Sequence, residues 1–192
     1  MSLPRALGVL CVVLALAAAG CGGGGDDGGS SSSKPPDEWA ETVCGALDDW
    51  GTSLQTRSQE LGPAMQDTKD LENVKETYIG FLQDAEQSSQ KLVDEVKSAG
   101  PPDTEEGQAV QSELISALEK VQRSFARAIG QAEELPTTDG DSLTRGVGVL
   151  SNDVEKNLQA AGASFNGIAE RSPEIKEAFD DTPSCGQLTA AG

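Results

Sequence analysis

The sequence has 192 residues and includes no histidine. The side chains left that could do acid–base or thiol chemistry are chiefly those of 4 cysteines and 32 acidic residues. Histidine is the usual general base near neutral pH and the commonest metal ligand, so Ser-His and Cys-His nucleophile pairs and His-containing metal sites are excluded. With only 14 basic residues the net charge is −18. This charge argues against nucleic-acid binding, because phosphate recognition needs clustered Lys and Arg. The chemistry that remains is cysteine modification, disulfide formation and carboxylate chemistry.

Four short motifs have the spelling of known sites, but each has a simpler structural interpretation. They are Asp139–Asp141, the spacing Ser88-x-x-Lys91, the run Gly146–Gly148 and the pair Trp39 and Trp50. The first lacks the downstream acidic ligands of a calcium loop and is typical of a turn that caps a helix. The second lacks the partner motifs of penicillin-recognising enzymes, and the third follows no strand. The tryptophans are about three helical turns apart, as core residues are. We therefore expect no catalytic residue, no metal ligand and no cofactor.

Cys21 ends an N-terminal segment that has the features of an export signal. Arg5 is followed by the apolar run Ala6–Ala19, which is shorter than the roughly 20 residues of a membrane span. The segment Leu16–Cys21 resembles the lipobox of bacterial lipoproteins, although Ala18 stands where Leu is commonest. The resemblance implies cleavage after residue 20, a diacylglyceryl group on the Cys21 thiol, and attachment to the outer face of the cytoplasmic membrane.

Two other fates of the N-terminus stay open. Ordinary cleavage after the small residues Ala17–Ala19 would release a soluble protein, and an uncleaved segment would serve as an anchor. Cysteine parity favours lipidation, because Cys11 leaves with the signal peptide. Lipidation of Cys21 then leaves Cys44 and Cys185 as one pair, whereas ordinary secretion leaves an odd number of thiols. Two or more acyl chains give durable anchoring, so we expect Cys21 to hold the protein at the membrane.

The segment after Cys21 predicts a flexible tether. Residues 21–36 are rich in Gly, Ser and Pro, and a chain of this kind reaches about 20 Å. Anionic lipid would repel so acidic a protein, so the acyl chains and not charge must hold it at the membrane. The sequence thus divides into a signal peptide (1–20), a tether (21–36), a helical domain (37–186) and a disordered tail (187–192).

The apolar residues from Asp37 onward recur at steps of three and four, which is the helical period, and no stretch alternates as a strand does. We predict an all-α domain with four long helices and a short fifth helix. Their expected ranges are 37–61, 68–99, 103–135, 141–171 and 173–181. Gly62 and Pro63 are expected to end the first helix, and Asp103 with Glu106 predicts a capping box at the third.

The connections between the long helices are short, so neighbouring helices must be antiparallel. This predicts an up-down-up-down four-helix bundle with a short C-terminal fifth helix. The topology brings Cys44 in the first helix near a C-terminal segment that folds back with Cys185. In an exported protein we expect these two cysteines to form a disulfide, which would stabilise the fold by roughly 4 to 5 kcal/mol in the chain-entropy model.

A wider set of features accompanies the lipobox and the tether. They are Trp39 with Val43 and Cys44, the connection Gly100–Asp103, the stretch Val110–Leu118 and the terminal pair Ser184 and Cys185. Together these features resemble uncharacterised small secreted lipoproteins of actinobacteria. The resemblance implies export, a helical domain and the bond between Cys44 and Cys185, and it supplies no activity.

We interpret the protein as a non-enzymatic, membrane-anchored lipoprotein that serves as an interaction or cell-envelope module. The lipid anchor is its expected contact with the membrane, nucleic acid is excluded as a partner, and we expect a monomer. An alternative is a ligand-binding lipoprotein whose interhelical cavity holds a small apolar or cationic molecule. A third interpretation, an enzyme that uses carboxylates alone, requires two buried and converging Asp or Glu side chains.

Overall fold

A computed structural model describes residues 33–65 and 69–190, apart from the side chains of 169–171 and 187–190. Within these ranges the chain forms six α-helices and no strand. They are α1 (Pro36–Ala64), α2 (Leu71–Ala99), α3 (Gly107–Glu133), α4 (Gly140–Arg171), α5 (Pro173–Asp181) and α6 (Pro183–Ala190). The predicted all-α class is confirmed. The predicted signal peptide, Cys21 and the tether up to residue 32 lie outside the described residues.

The four long helices pack consecutively, α1 on α2, α2 on α3 and α3 on α4, as the predicted bundle requires. One side of this arrangement is open, since no described residue of α1 has its Cα atom within 8 Å of one in α4. Instead, α5 packs against both α1 and α4, and α6 packs against α1 and α5. The two short helices therefore separate α1 from α4 at one end of the bundle.

The core divides into two clusters along the bundle. One cluster surrounds the start of α1 and includes Trp39 and Cys44. We call this end of the bundle the disulfide pole. The other cluster lies among α2, α3 and α4, includes Tyr78 and Phe125, and marks what we call the open pole. Trp50 of α1 is partly buried and packs against both clusters.

A side-chain cap explains where α4 begins, and a contact with a distant segment explains why α3 begins late. Asp139 accepts a hydrogen bond of 2.8 Å from a backbone N–H of the first turn of α4. The predicted capping box of Asp103 with Glu106 is wrong, because α3 begins only at Gly107 and Glu106 makes no side-chain cap. The backbone N–H of Asp103 donates instead to the carbonyl of Lys34 at 2.6 Å, which holds this segment outside the helix.

Two helix ends also differ from prediction. Helix α1 runs through Pro63 to Ala64, because a proline in the last turn removes only one late hydrogen bond. The sixth helix was not predicted, and it continues to Ala190 where the sequence suggested a disordered tail from residue 187. Pro183 stands at its start, where the missing N–H of proline would have no partner in any case.

Candidate functional site

The two cysteines that were predicted to pair meet at the disulfide pole. Cys44 of α1 and Cys185 of α6 have Cα atoms 5.1 Å apart, and the pairing is confirmed as a disulfide-distance pair. Both side chains are buried, with exposed fractions of 0% and 2%. The bond closes a loop of 141 residues and fixes α6 to α1. Cys21, the predicted lipidation site, lies outside the described residues.

The end of the predicted tether is bound to the domain. The N–H of Lys34 donates to the carbonyl of Pro101 at 3.1 Å, and the carbonyl of Lys34 accepts from Asp103. Pro36 is already the first residue of α1. The prediction of a flexible segment over 21–36 is therefore wrong for its last residues, because the connection before α3 offers backbone groups that no helix satisfies. The chain thus enters the domain beside the disulfide pole.

Both tryptophans serve the core, as their spacing predicted. Trp39 has no exposed surface, donates from Nε1 to the carbonyl of Gly100 at 3.0 Å, and stacks on Phe179 with ring centroids 5.8 Å apart. Trp50 is partly buried, and its Nε1 donates to Ser89 Oγ at 3.1 Å. The polar group of each indole is therefore already satisfied within the protein.

The other motifs singled out in the sequence have structural roles. Asp139 caps α4, and the backbone hydrogen bond that it accepts lowers the pKa of its carboxyl below the ordinary value. Ser88 donates to the carbonyl of Ala85 at 3.0 Å within α2, and Lys91 pairs with Glu95 at 3.4 Å. The Ser-x-x-Lys spacing therefore brings no nucleophile together with a base.

The carboxylates that the structure describes do not form a buried acid–base pair. Of the Asp and Glu side chains that the structure describes, none is buried. A hydrogen bond from Lys97, at 2.9 Å, lowers the pKa of the Glu119 carboxyl, and this pair lies at the surface between α2 and α3. The described residues also contain no group of three or more Cys, Asp or Glu that could hold a metal ion.

The clearest candidate site is a cleft between α1 and α4 at the open pole, with a volume of about 390 Å³. Leu54 and Leu61 line it from α1, Leu158 lines it from α4, and Tyr78 and Phe81 of α2 form its floor. We call this feature the α1–α4 cleft. Its volume falls in the range of about 300 to 1,000 Å³ that is typical of sites for small molecules.

The cleft exists because α5 and α6 separate α1 from α4 only at the disulfide pole. Toward the open pole no described element fills the gap. Four large apolar side chains of the predicted inward stripes therefore remain only partly buried, namely Leu54, Leu61, Phe81 and Leu158. Apolar surface left partly exposed around a concavity is a mark of a binding groove.

The floor of the cleft is aromatic and carries one hydroxyl. The rings of Tyr78 and Phe81 stack with centroids 6.5 Å apart and an interplanar angle of 19°. The hydroxyl of Tyr78 lies 3.2 Å from Ser151 Oγ, which links α2 to α4. Burial raises the pKa of the Tyr78 hydroxyl, and the hydrogen bond with Ser151 opposes this shift. The hydroxyl is therefore protonated at neutral pH.

A second, more open groove lies between α1 and α2 near the disulfide pole, with a volume of about 760 Å³. Gly45 and Ala46 form a small apolar strip within it, and Lys34, Asp49 and Lys91 are among the charged side chains at its edges. This α1–α2 groove is larger than the cleft but has no large apolar side chain in its lining.

Comparison with protein-family models, with curated proteins and with solved structures finds no match to this chain. The resemblance to actinobacterial lipoproteins accordingly stays a prediction from the sequence. None of the helices in the described ranges is long and apolar enough to cross a membrane.

Proposed function

We propose that this protein is a non-enzymatic lipoprotein at the extracytoplasmic face of the cell membrane, and that it binds a small apolar ligand in the α1–α4 cleft. The observation that carries the proposal is the gap at the open pole, where large apolar side chains stay partly exposed around an aromatic floor. Covering apolar surface contributes about 25 cal/mol per Å². A ligand that fills this cleft removes apolar surface of the protein, and apolar surface of its own, from water.

The anchor is supported by the N-terminal motif and by the pairing of the other cysteines. Cys44 and Cys185 pair with each other, so a disulfide in the mature chain does not require Cys21. The thiol of Cys21 is then left for acylation. Lys34 and the start of α1 lie at the disulfide pole. At 1.5 Å per residue, Leu54 in the cleft lies about 30 Å along the chain from Lys34.

Metabolic labelling with a palmitate analogue tests the anchor. The wild type should be labelled and Cys21→Ala should not, because the substitution removes the acylated thiol. The double variant Cys44→Ala/Cys185→Ala is the matched control and should still be labelled. Equal labelling of the wild type and Cys21→Ala would contradict the anchor.

The non-enzymatic part of the proposal rests on the residue types of the chain and on the exposure of its described carboxylates. Two carboxylates that share a proton or act as acid and base need burial or close approach to move their pKa values apart. The described Asp and Glu side chains are all at least partly exposed. The chain also has no histidine to serve as a base.

A thermal-shift screen tests ligand binding. The exported protein is held in liposomes, heated with small apolar compounds, and followed by tryptophan fluorescence against protein-free liposomes. A ligand at 100 times its Kd adds about 2.7 kcal/mol to stability, so the melting temperature rises with concentration.

Two variants locate the site that the screen reports. Ser58→Trp places an indole in the cleft and should remove the shift. Ser116→Trp is its matched control, at an exposed position of α3 away from the cleft, and should keep the shift. A screen without any concentration-dependent shift, or one in which Ser58→Trp responds as the wild type does, would contradict the proposal.

A second candidate function is contact with another protein through the α1–α2 groove. The observation that favours it is the combination of an apolar strip with charges of both signs along the edges, as interface rims have. Cross-linking in intact envelopes, followed by capture of the protein, tests it. Gly45→Arg should abolish a capture that depends on the groove, and open space around Gly45 accommodates the new side chain. If the wild type and Gly45→Arg capture the same partner, this function is contradicted.

A further inference from the structure

We propose that the α1–α4 cleft selects an amphiphilic organic cation, with an apolar or aromatic body and one positive charge, over neutral and anionic ligands of the same shape. This inference rests on the proposed ligand-binding function. It adds the sign of the charge that the ligand carries, which the apolar lining alone does not determine.

Of the described residues that line the cleft, Glu155 is the one with a charged side chain. Its carboxylate accepts a hydrogen bond of 3.1 Å from Gln159 Nε2. Within the described part of the chain, no basic side chain lies within 4 Å of it. A negative charge without a cationic partner thus stands at the edge of an apolar cleft.

The basic residues nearest in sequence to the cleft are engaged elsewhere. Arg57 of α1 lies 3.4 Å from Glu60 and 3.5 Å from Asp84. Lys156 of α4 lies 3.5 Å from Asp153. Neither Arg57 nor Lys156 belongs to the lining of the cleft, so none of the lining residues that the structure describes offers a positive charge to an anionic ligand.

The floor adds a second preference of the same sign. The face of an aromatic ring carries negative partial charge and attracts a cation within about 6 Å of its centroid. Phe81 is partly exposed and offers such a ring to the cleft, whereas Tyr78 is buried and stacks on Phe81. An anion over the Phe81 ring would be repelled by the ring face and by the negative charge of Glu155.

The magnitude of the preference follows from these two contributions. An exposed ion pair strengthens binding by up to about 5-fold. A cation–π contact at an exposed site adds about 2- to 5-fold. The cation should therefore bind about 10-fold more tightly than a neutral ligand, and the net charge of −18 should widen its advantage over an anion.

Isothermal titration calorimetry with three matched probes tests the inference. The probes are 4-phenylbutyltrimethylammonium, 5-phenylpentanol and 5-phenylpentanoate, titrated into the exported protein in liposomes, with protein-free liposomes subtracted. We expect the ammonium compound to bind about 10-fold more tightly than the alcohol, and the carboxylate to bind most weakly. Glu155→Gln should reduce the advantage of the cation by about 3- to 5-fold. Glu177→Gln, an exposed position of α5 away from the cleft, should leave it unchanged.

The possible results separate this inference from the function on which it rests. Equal affinities for the three probes, tighter binding of the carboxylate, or a cation preference that Glu155→Gln leaves intact would overturn the charge selection while binding itself stands. Failure of all three probes to bind would overturn the selection together with the proposed cleft function. Unchanged melting temperatures of Glu155→Gln and Glu177→Gln show that both variants are folded.

Discussion

Removing the disulfide with the double substitution Cys44→Ala/Cys185→Ala should weaken the disulfide pole far more than the open pole. The bond is the covalent link between α1 and α6, and α6 has only eight residues. A helix of that length is unstable alone, because nucleation costs more than so few hydrogen bonds return. Without the bond, α6 and its neighbour α5 lose the link that holds them on α1.

The expected loss can be worked from the length of the closed loop. For a loop of 141 residues the chain-entropy relation gives about 5 kcal/mol at 25 °C, and native disulfides typically contribute about 2 to 5 kcal/mol. Both cysteines are buried, so their truncation to Ala adds a small packing loss of the same sign. We expect a decrease of about 3 to 5 kcal/mol in the free energy of unfolding, which is large against a typical total of about 5 to 15 kcal/mol.

Urea unfolding, followed by circular dichroism, measures this decrease, and hydrogen exchange shows where it occurs. Exchange should accelerate first in α5, α6 and the start of α1, which surround the bond. Reduction of the wild type by a phosphine should reproduce the effect, and the double variant should not respond to the reductant. A loss below about 1 kcal/mol, or faster exchange that begins around Tyr78 and Phe125 at the open pole, would show that the bond does not hold the disulfide pole together.

Three further predictions concern the scaffold. Folding lowers the pKa of the Asp139 carboxyl, so the stabilisation by its cap is fully present above the ordinary pKa of Asp and is lost as the pH falls through the lowered pKa. The difference in melting temperature between the wild type and Asp139→Ala should therefore shrink in acid. Gly148→Ala should raise stability to urea by up to about 1 kcal/mol, because the position is exposed and an added Cβ meets open space. Gly146→Ala should gain less, because its Cβ requires the side chain of Leu135 to move. Trp39→Phe should cost about 2 to 4 kcal/mol in the same assay, because it leaves the carbonyl of Gly100 without its donor and opens space in the core.

The helical class and the pairing of the cysteines were predictable because both depend on features that repeat or are rare. Apolar residues at steps of three and four determine where a helix can bury one face, and this gave the four long helices. Short connections then force antiparallel neighbours, which places Cys44 near the C-terminal segment. With Cys11 predicted to leave with the signal peptide and Cys21 predicted to carry the anchor, Cys185 is the one partner left for Cys44.

Details that depend on contacts between distant segments were not predictable. Asp103 and Glu106 have the spacing of a capping box, but the backbone of Lys34 holds Asp103 outside the helix, and no local pattern indicates this pairing. Helix α6 has no recognisable apolar stripe in the sequence, and its packing on α1 and its bond through Cys185 join segments that are far apart in the chain. Tertiary contacts override local preference in both cases.

The cleft could be anticipated only as a class of feature. The sequence places Leu54, Phe81 and Leu158 on inward faces, and in a closed bundle they would be fully buried. Their partial exposure follows from the separation of α1 and α4 by the short helices, which is a property of the assembled domain. In the sequence Glu155 looks like an ordinary exposed charge, and the charge selection proposed for it depends on its place in the lining of the cleft.

Hydrogen exchange with and without bound ligand is the sharpest test of binding in the α1–α4 cleft, because it shows which residues of the chain the ligand protects. The exported protein in liposomes is compared with and without saturating 5-phenylpentanol, a neutral probe that does not depend on charge selection. Binding in the α1–α4 cleft should slow exchange in residues 54–61 of α1 and 151–158 of α4 and leave the ends of α1 and α2 at the disulfide pole unchanged. Protection confined to the α1–α2 groove, or no protection at saturation, would contradict the claim that the cleft is the binding site.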